Sequence, residues 1–237
     1  MPLARRCRQP ELMDRPGLDP REHRRALDSL GRSHVVSRSA ATIWRSVREV
    51  VPGDGRPLRV LDLACGGGQV LVGLARRGVR AGVRLEARGL DRSPVALEYA
   101  RALAARAGVR DVTFATLDVA CQPLPEGFDV LVCSLFLHHL DDDGAVALLR
   151  RMREATRRLV VVSDLRRTRL GHLYARVGCR LLSRSHVFHV DGPRSVEAAF
   201  TDDEVRDLAG CAGLAGTRVV RRWPQRFLLT WRRDDGR

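Results

Sequence analysis

Between residues 58 and 164, short runs rich in β-branched and aliphatic residues alternate with runs of helical periodicity. A chain written this way is expected to build a parallel sheet wound by helices. The strand runs fall at 58–63, 87–90, 112–117, 128–134 and 159–163, and their near-continuous apolar character fits burial on both faces. The intervening helices carry readable ends. Ser93 is an N-cap with Pro94 at the first helical position and Gly108 past the end, and Gly78 is read as closing a helix that starts near Gly68. Thr201 and Glu204 form a capping box that opens a further helix, stopped at Gly213. Two final runs, 217–223 and 226–231, meet at a turn on Pro224 and should pair antiparallel at the sheet edge. The expected fold is α/β: a seven-stranded, mostly parallel sheet with an antiparallel C-terminal hairpin and helices on both faces.

At 237 residues the chain has room for one large domain, or one domain with an appendage. Two segments lie outside the alternating core. In residues 1–57, Asp19-Pro20-Arg21-Glu22 caps the first of two helical runs, at 21–30 and 36–50. The other segment, 165–200, is an insertion after the fifth strand, within a domain expected to span 58–237. Ligands of open α/β sheets bind outside the carboxyl ends of the strands, so both segments are candidate lids, the alternative being that they pad the core. The N-terminal one is expected as a helical lid and the insertion as the acceptor side of the site.

Composition narrows the function classes. With 44% hydrophobic and 30% charged residues the chain can bury a core. No apolar run approaches the roughly 20 residues of a membrane span, and the first 14 residues lack a hydrophobic signal core, so a cytoplasmic protein is expected. The six cysteines contain no Cys-x-x-Cys pair and read as reduced thiols, with neither a disulfide framework nor a zinc site written among them. The net charge of +14 suggests a nucleic-acid partner at first sight, yet all 42 basic residues are arginines spread along the chain. Only 5% of residues are aromatic, too few for stacking platforms. Codon bias of a GC-rich coding sequence explains the arginines better, and nucleic acid is not expected as a partner.

The chemistry concentrates at Val60-Leu61-Asp62-Leu63-Ala64-Cys65-Gly66-Gly67-Gly68. Glycines directly between a buried strand and a helix let backbone approach a ligand closely. A dinucleotide fingerprint would need a third glycine where Leu71 stands, and Asp62 would repel a pyrophosphate. The second strand ends in Asp91, where a carboxylate can take both hydroxyls of a ribose. The third ends in Asp118, and the fourth runs into Ser134-Leu135-Phe136-Leu137-His138-His139. A lone aspartate at a strand end is usually a turn former. Three beside a glycine loop, facing one crevice, point to a cofactor site.

These motifs resemble those of class I S-adenosylmethionine (SAM) dependent methyltransferases, a Rossmann-like fold, over about residues 58–164. The family's glycine-loop motif is matched by Leu61-Asp62-Leu63-Ala64-Cys65-Gly66-Gly67-Gly68, its ribose acid by Asp91, its adenine-side acid by Asp118, and its post-fourth-strand motif by Phe128-Asp129-Val130 through Leu137-His138-His139-Leu140. The resemblance implies SAM as cofactor, held by Asp62, Ala64, Gly66, Gly68, Asp91, Arg92, Asp118, Val119 and Ser134. It places His139, Asp164 and Asp191 on the acceptor side. The chain is most similar to small-molecule enzymes such as the quinone-ring methyltransferases. Glu11-Leu12-Met13-Asp14, Ser134 to Asp142, Asp164-Leu165-Arg166-Arg167, His189-Val190-Asp191-Gly192-Pro193 and Arg222-Trp223-Pro224 resemble bacterial relatives encoded beside type III polyketide synthases.

That placement implies a small aromatic or polyketide-like acceptor, methylated on oxygen or carbon. The sequence holds no dense set of oxygen ligands suited to magnesium, so no metal is expected. If the acceptor is a phenol, a histidine near neutral pKa could serve as base, from among His138, His139, His186 and His189; the two leading candidates are His138, which follows the fourth strand, and His189, read as lying in a loop with Asp191 nearby to orient it. His139 sits in a Leu-x-His-Leu pattern that can equally serve to position the loop. The alternatives are an RNA methyltransferase on the same fold, disfavoured because Ser134-Leu135-Phe136-Leu137 replaces a base-presenting Asn-Pro-Pro-Tyr motif, and a SAM-binding scaffold without turnover.

Overall fold

The computed structural model describes residues 3–15 and 17–233. Seven strands form one sheet: β1 (Leu58–Leu63), β2 (Leu85–Asp91), β3 (Val112–Thr116), β4 (Phe128–Ser134), β5 (Thr156–Leu165), β6 (Arg218–Arg222) and β7 (Arg226–Arg232), in the order β3-β2-β1-β4-β5-β7-β6. The first five pair parallel, and β7 pairs antiparallel with both β5 and β6. Winding runs outward from β1 to β3, then returns to lay β4 on the other side of β1. The carboxyl ends of β1 and β4 therefore flank a topological switch point, where such sheets open a crevice.

Apolar side chains cover both faces, as the unbroken strand runs require. On one face Val60, Val130 and Val161 meet Ile43 and Val47 of α2 (Ser39–Val47) and Leu71 and Leu74 of α3 (Gln69–Arg80). On the other, Leu61, Leu131 and Val160 meet Leu148 and Met152 of α5 (Asp142–Ala155) and Val205 and Leu208 of α8 (Asp202–Cys211). At the amino end of the sheet the buried Asp129 takes two 2.7 Å hydrogen bonds from the Arg56 guanidinium and one from the Arg59 backbone N–H, which ties β4 to the entry of β1. Such a bidentate pair fixes geometry as well as charge.

The capping residues act as the sequence suggests: Ser93 accepts from the Ala96 N–H at the start of α4 (Pro94–Arg106), and Thr201 and Glu204 form the reciprocal capping box of α8. Three expectations are corrected. Gly78 does not close α3, which continues to Arg80. A Cβ there would fall 2.3 Å from Leu85 Cδ1, so the glycine serves close packing of helix on strand. The N-terminal helices divide at Ser37 and Arg38, the latter in the left-handed region at φ 51°, so α1 spans Pro20–Val36 and α2 begins at Ser39. The stretch around His189 is no loop: it lies in α7 (His186–Ala198), which accommodates Pro193 in its interior and packs against α6 (Arg169–Leu182).

Helices α6 and α7 pack with α1 beside the carboxyl ends of the strands, while α2 pads one sheet face. Residues 3–15 run across this assembly as a strap. Arg6 donates to the carbonyls of His138, Leu140 and Ala198 and lies over the Phe200 ring. The Cys7 N–H donates to the Glu197 carbonyl, and Leu12 and Met13 N–H groups donate to the two Asp191 oxygens at 2.8 and 2.9 Å. None of the helices among the described residues is long and apolar enough to cross a membrane.

Candidate active site

A cavity of about 960 Å³ opens over the switch point, at the upper end of the usual range for small-molecule sites. Its glycine-loop end is built by the turn after β1. Ala64 and Gly66 adopt left-handed φ values of 51° and 52°, and the space where a Gly66 side chain would stand is empty. The Gly66 and Ser93 N–H groups each donate to one oxygen of Asp91, at 2.8 and 2.9 Å, which fixes that carboxylate at the end of β2. Asp118 is held by the Ala120 N–H, beside the buried Val119. After β4, Leu135 is also left-handed, at φ 56°. Left-handed non-glycine residues at two adjacent strand ends mark a turn held by its surroundings, a feature that clusters at functional sites.

Asp62 is 1% exposed, lines the cavity, and neither of its oxygens has a hydrogen-bond partner. Burial, helped by the Asp91 charge, pushes its carboxyl up to about 8. A buried carboxyl without a partner is costly. Opening onto the cavity beside the glycine loop, it suits a cationic ligand group such as the ammonium of an amino acid. The unpartnered Ser134 Oγ stands at the neighbouring strand end.

Across the cavity the histidine pair meets the strap. His138 is 2% exposed; its Nδ1 is 2.7 Å from Asp164 Oδ1, its backbone N–H donates to Asp164 Oδ2, and its Nε2 stands 3.5 Å from Glu11 Oε1. Burial alone would lower the ring's pKa, but Asp164 and Glu11 outweigh it and raise it to about 10. His139 Nε2 lies 3.8 Å from Glu11 Oε2 and its Nδ1 lies 3.2 Å from Asp14 Oδ2. Asp14 pairs further with Arg92 at 3.0 Å; although burial opposes it, His139 and Arg92 bring its carboxyl down to about 2. The remaining wall is apolar, with Leu27 and Leu30 of α1, Tyr174 and Val177 of α6, Phe188 of α7 and Trp223.

Residues 60–158 match a family model described as a methyltransferase domain. A ubiquinone biosynthesis O-methyltransferase of Neisseria meningitidis serogroup C is 35% identical over 95 residues, 39% of this chain and 38% of that protein. The structure of the S-adenosylmethionine-dependent methyltransferase SibL superposes with a TM-score of 0.60 at 25% identity, covering 79% of this chain and 54% of SibL. Residues 60–158 carry a methyltransferase domain. Magnesium protoporphyrin IX methyltransferase of Synechocystis PCC 6803, solved with bound S-adenosylhomocysteine (SAH), shares the fold at 18% identity and a TM-score of 0.59, over 93% of this chain and 91% of that one. The chain spans at most about half the length of the curated relatives it matches.

Within the cavity the structure brings together Asp62, Ala64, Gly66, Asp91, Arg92, Asp118, Val119, Ser134, His138, His139 and Asp191. Two expected site residues stand behind the lining. Gly68 caps α3 at φ 74° and faces Ala100 and Phe114, which a Cβ would crowd at 2.9 and 3.1 Å. Asp164 supports His138 from the protein side. His189 is placed elsewhere: its Nε2 is bonded to the Ser183 carbonyl at 2.7 Å, and Asp191 holds the strap instead of orienting that ring. His186 shares its helix and is not among the lining residues. The residues that sequence reasoning missed are Glu11 and Asp14. Their only signal was the Glu11-Leu12-Met13-Asp14 resemblance, because no local pattern ties them to histidines far along the chain.

Proposed function

We propose that this methyltransferase moves a methyl group from SAM to a hydroxyl oxygen of a small, largely apolar aromatic acceptor. One continuous cavity carries the reading, with an unpartnered buried carboxyl at its glycine-loop end and a carboxylate–histidine cluster beside an apolar wall at the other. The residues present fit the cofactor. Asp62 offers two free oxygens to its ammonium, Asp91 has lone pairs left for ribose hydroxyls after taking two backbone N–H groups, and Asp118 with Val119 flanks the adenine position. When bound, SAM supplies an electrophilic methyl carbon on a sulfonium.

The protein's part is alignment and exclusion of water, which in the best cases lowers such barriers by roughly 7 to 11 kcal/mol. Helices α1, α6 and α7 with the strap wall the acceptor end, and the aromatic side chains Tyr174, Phe188 and Trp223 suit a flat ring. Asp164 fixes His138 so that only Nε2 faces Glu11 and the cavity. An acceptor hydroxyl seated there hydrogen-bonds to the Glu11 carboxylate, which the positively charged His138 ring holds in place, and loses its proton through Glu11 to solvent as its oxygen takes the methyl. The O-methyltransferase name of the Neisseria relative supports oxygen as the target.

Incubating the purified chain with methyl-labelled SAM and a panel of alkyl-substituted phenols and catechols tests this by mass spectrometry. The expected product is a labelled aryl methyl ether, with turnover cut at least tenfold in Glu11→Gln, within the range general-base groups contribute. Label on a ring carbon, or label appearing only in added RNA, would overturn the hydroxyl assignment.

A further inference from the structure

We propose that Glu11, His138 and His139 form a three-ligand site for a zinc-like divalent transition-metal ion at the acceptor end of the cavity. Their ligand atoms all lie within 4.8 Å of one another. His138 Nε2 lies 3.5 Å from Glu11 Oε1 and His139 Nε2 lies 3.8 Å from Glu11 Oε2, so one oxygen of the carboxylate faces each ring at a separation near the roughly 3.3 Å between ligand atoms on zinc with bonds of 2.0 to 2.1 Å.

Three observations separate this cluster from an ordinary set of ion pairs. His138 Nε2 is buried and has no hydrogen-bond partner, and it stands 3.5 Å from Glu11 Oε1, which leaves it a ligand atom beside the carboxylate. Each imidazole presents Nε2 inward while its Nδ1 faces a carboxylate, Asp164 for His138 at 2.7 Å and Asp14 for His139 at 3.2 Å. That is the outer support which metal-bound histidines almost always have, fixing the tautomer and raising ligand basicity. Glu11 is itself steadied by the Ser195 hydroxyl, which donates to Oε1 at 2.5 Å.

Two imidazoles and one carboxylate suit zinc or a neighbouring transition metal and not magnesium, which prefers oxygen ligands. Three protein ligands lining a cavity leave the fourth position open to it, as in catalytic zinc sites. Resting on the function proposed above, the occupant of that position is the acceptor's hydroxyl oxygen. With the ion bound, Glu11 is a ligand and the metal takes over its part in activating the hydroxyl: coordination lowers the hydroxyl pKa, its proton leaves to solvent, and the oxygen lone pair then forms the new O–C bond as the S–C bond breaks to a neutral thioether.

The test uses the full, untagged chain stripped with a chelator and titrated with Zn²⁺ against a chromophoric competitor, then with Co²⁺ for its visible spectrum. One tightly bound ion per chain is expected, with a four-coordinate cobalt spectrum. Glu11→Gln and His139→Ala should each weaken zinc at least tenfold, and Asp14→Asn about 10- to 100-fold, while all three stay folded by circular dichroism. Stoichiometry well below one, or affinity unchanged in Glu11→Gln and His139→Ala, overturns the site. A cobalt spectrum that shifts on adding a phenol places the acceptor on the metal, and one that does not shift overturns that step alone. Because zinc is titrated without SAM or acceptor, an absence of methyl transfer to phenols would sink the proposed function and leave the metal site standing.

Discussion

Asp62 is a buried carboxyl with no partner, in contrast to Asp129 of the same sheet, which lies between Arg56 and Arg59. Its raised pKa has a signed consequence for stability. An acid at about 8 when folded and near 3.8 when unfolded favours the fold below the lower value, and that contribution is lost as pH rises through the upper one. The ligand-free protein is therefore expected to lose stability between about pH 4 and 8, and Asp62→Asn should flatten this part of the profile. Denaturant unfolding of both proteins at several pH values checks it, and parallel profiles would contradict the placement. The sequence made Asp62, Asp91 and Asp118 legible because each stands at or just past the end of a strand run, whether buried as in β1 or half-exposed as in the edge strand β3. Glu11 and Asp14 were not legible as site residues, since nothing local records that the strap crosses to His138 and His139.

At the scale of elements, β1 and β4 match the sequence-based ranges because their apolar runs end where burial ends. Two of the three misreadings share a cause: a glycine required for close packing looks the same in sequence as one that ends a helix. Gly78 packs against Leu85, and a Cβ on Gly192 would fall 2.3 Å from the Cys179 sulfur. So Asp191-Gly192-Pro193, which reads as a loop, is the middle of α7 lying against α6. That helix anchors the strap through Asp191, whose carboxylate takes two backbone N–H groups although burial raises its pKa to about 6. Asp191→Ala leaves both N–H groups unpaired, a loss of order 1 to 3 kcal/mol. The expected outcome is faster limited proteolysis within residues 3–15 and a raised acceptor KM, with SAM affinity kept within a few-fold. Equal protease resistance in the variant would show that the arginine contacts alone hold the strap.

Across the whole molecule, the parallel winding sets the cavity at the β1–β4 switch point. Residues distant in sequence then close it: a carboxylate floor from strand ends β1 and β2, helices α1, α6 and α7 as walls, and a strap that brings Glu11 to the histidines. The central claim is that SAM occupies this cavity with its ammonium on Asp62. Calorimetric titration of SAM at pH 7, repeated in buffers of different ionisation enthalpy, tests it most directly. Asp62 at about 8 holds its proton in the free protein and must release it to pair with an ammonium. Wild type should therefore bind SAM with release of close to one proton, while Asp62→Asn binds at least tenfold more weakly and releases none, the loss of a charged hydrogen-bond acceptor being worth roughly 1.5 to 3 kcal/mol. No binding by wild type, or the same affinity and proton count in the variant, would contradict the account.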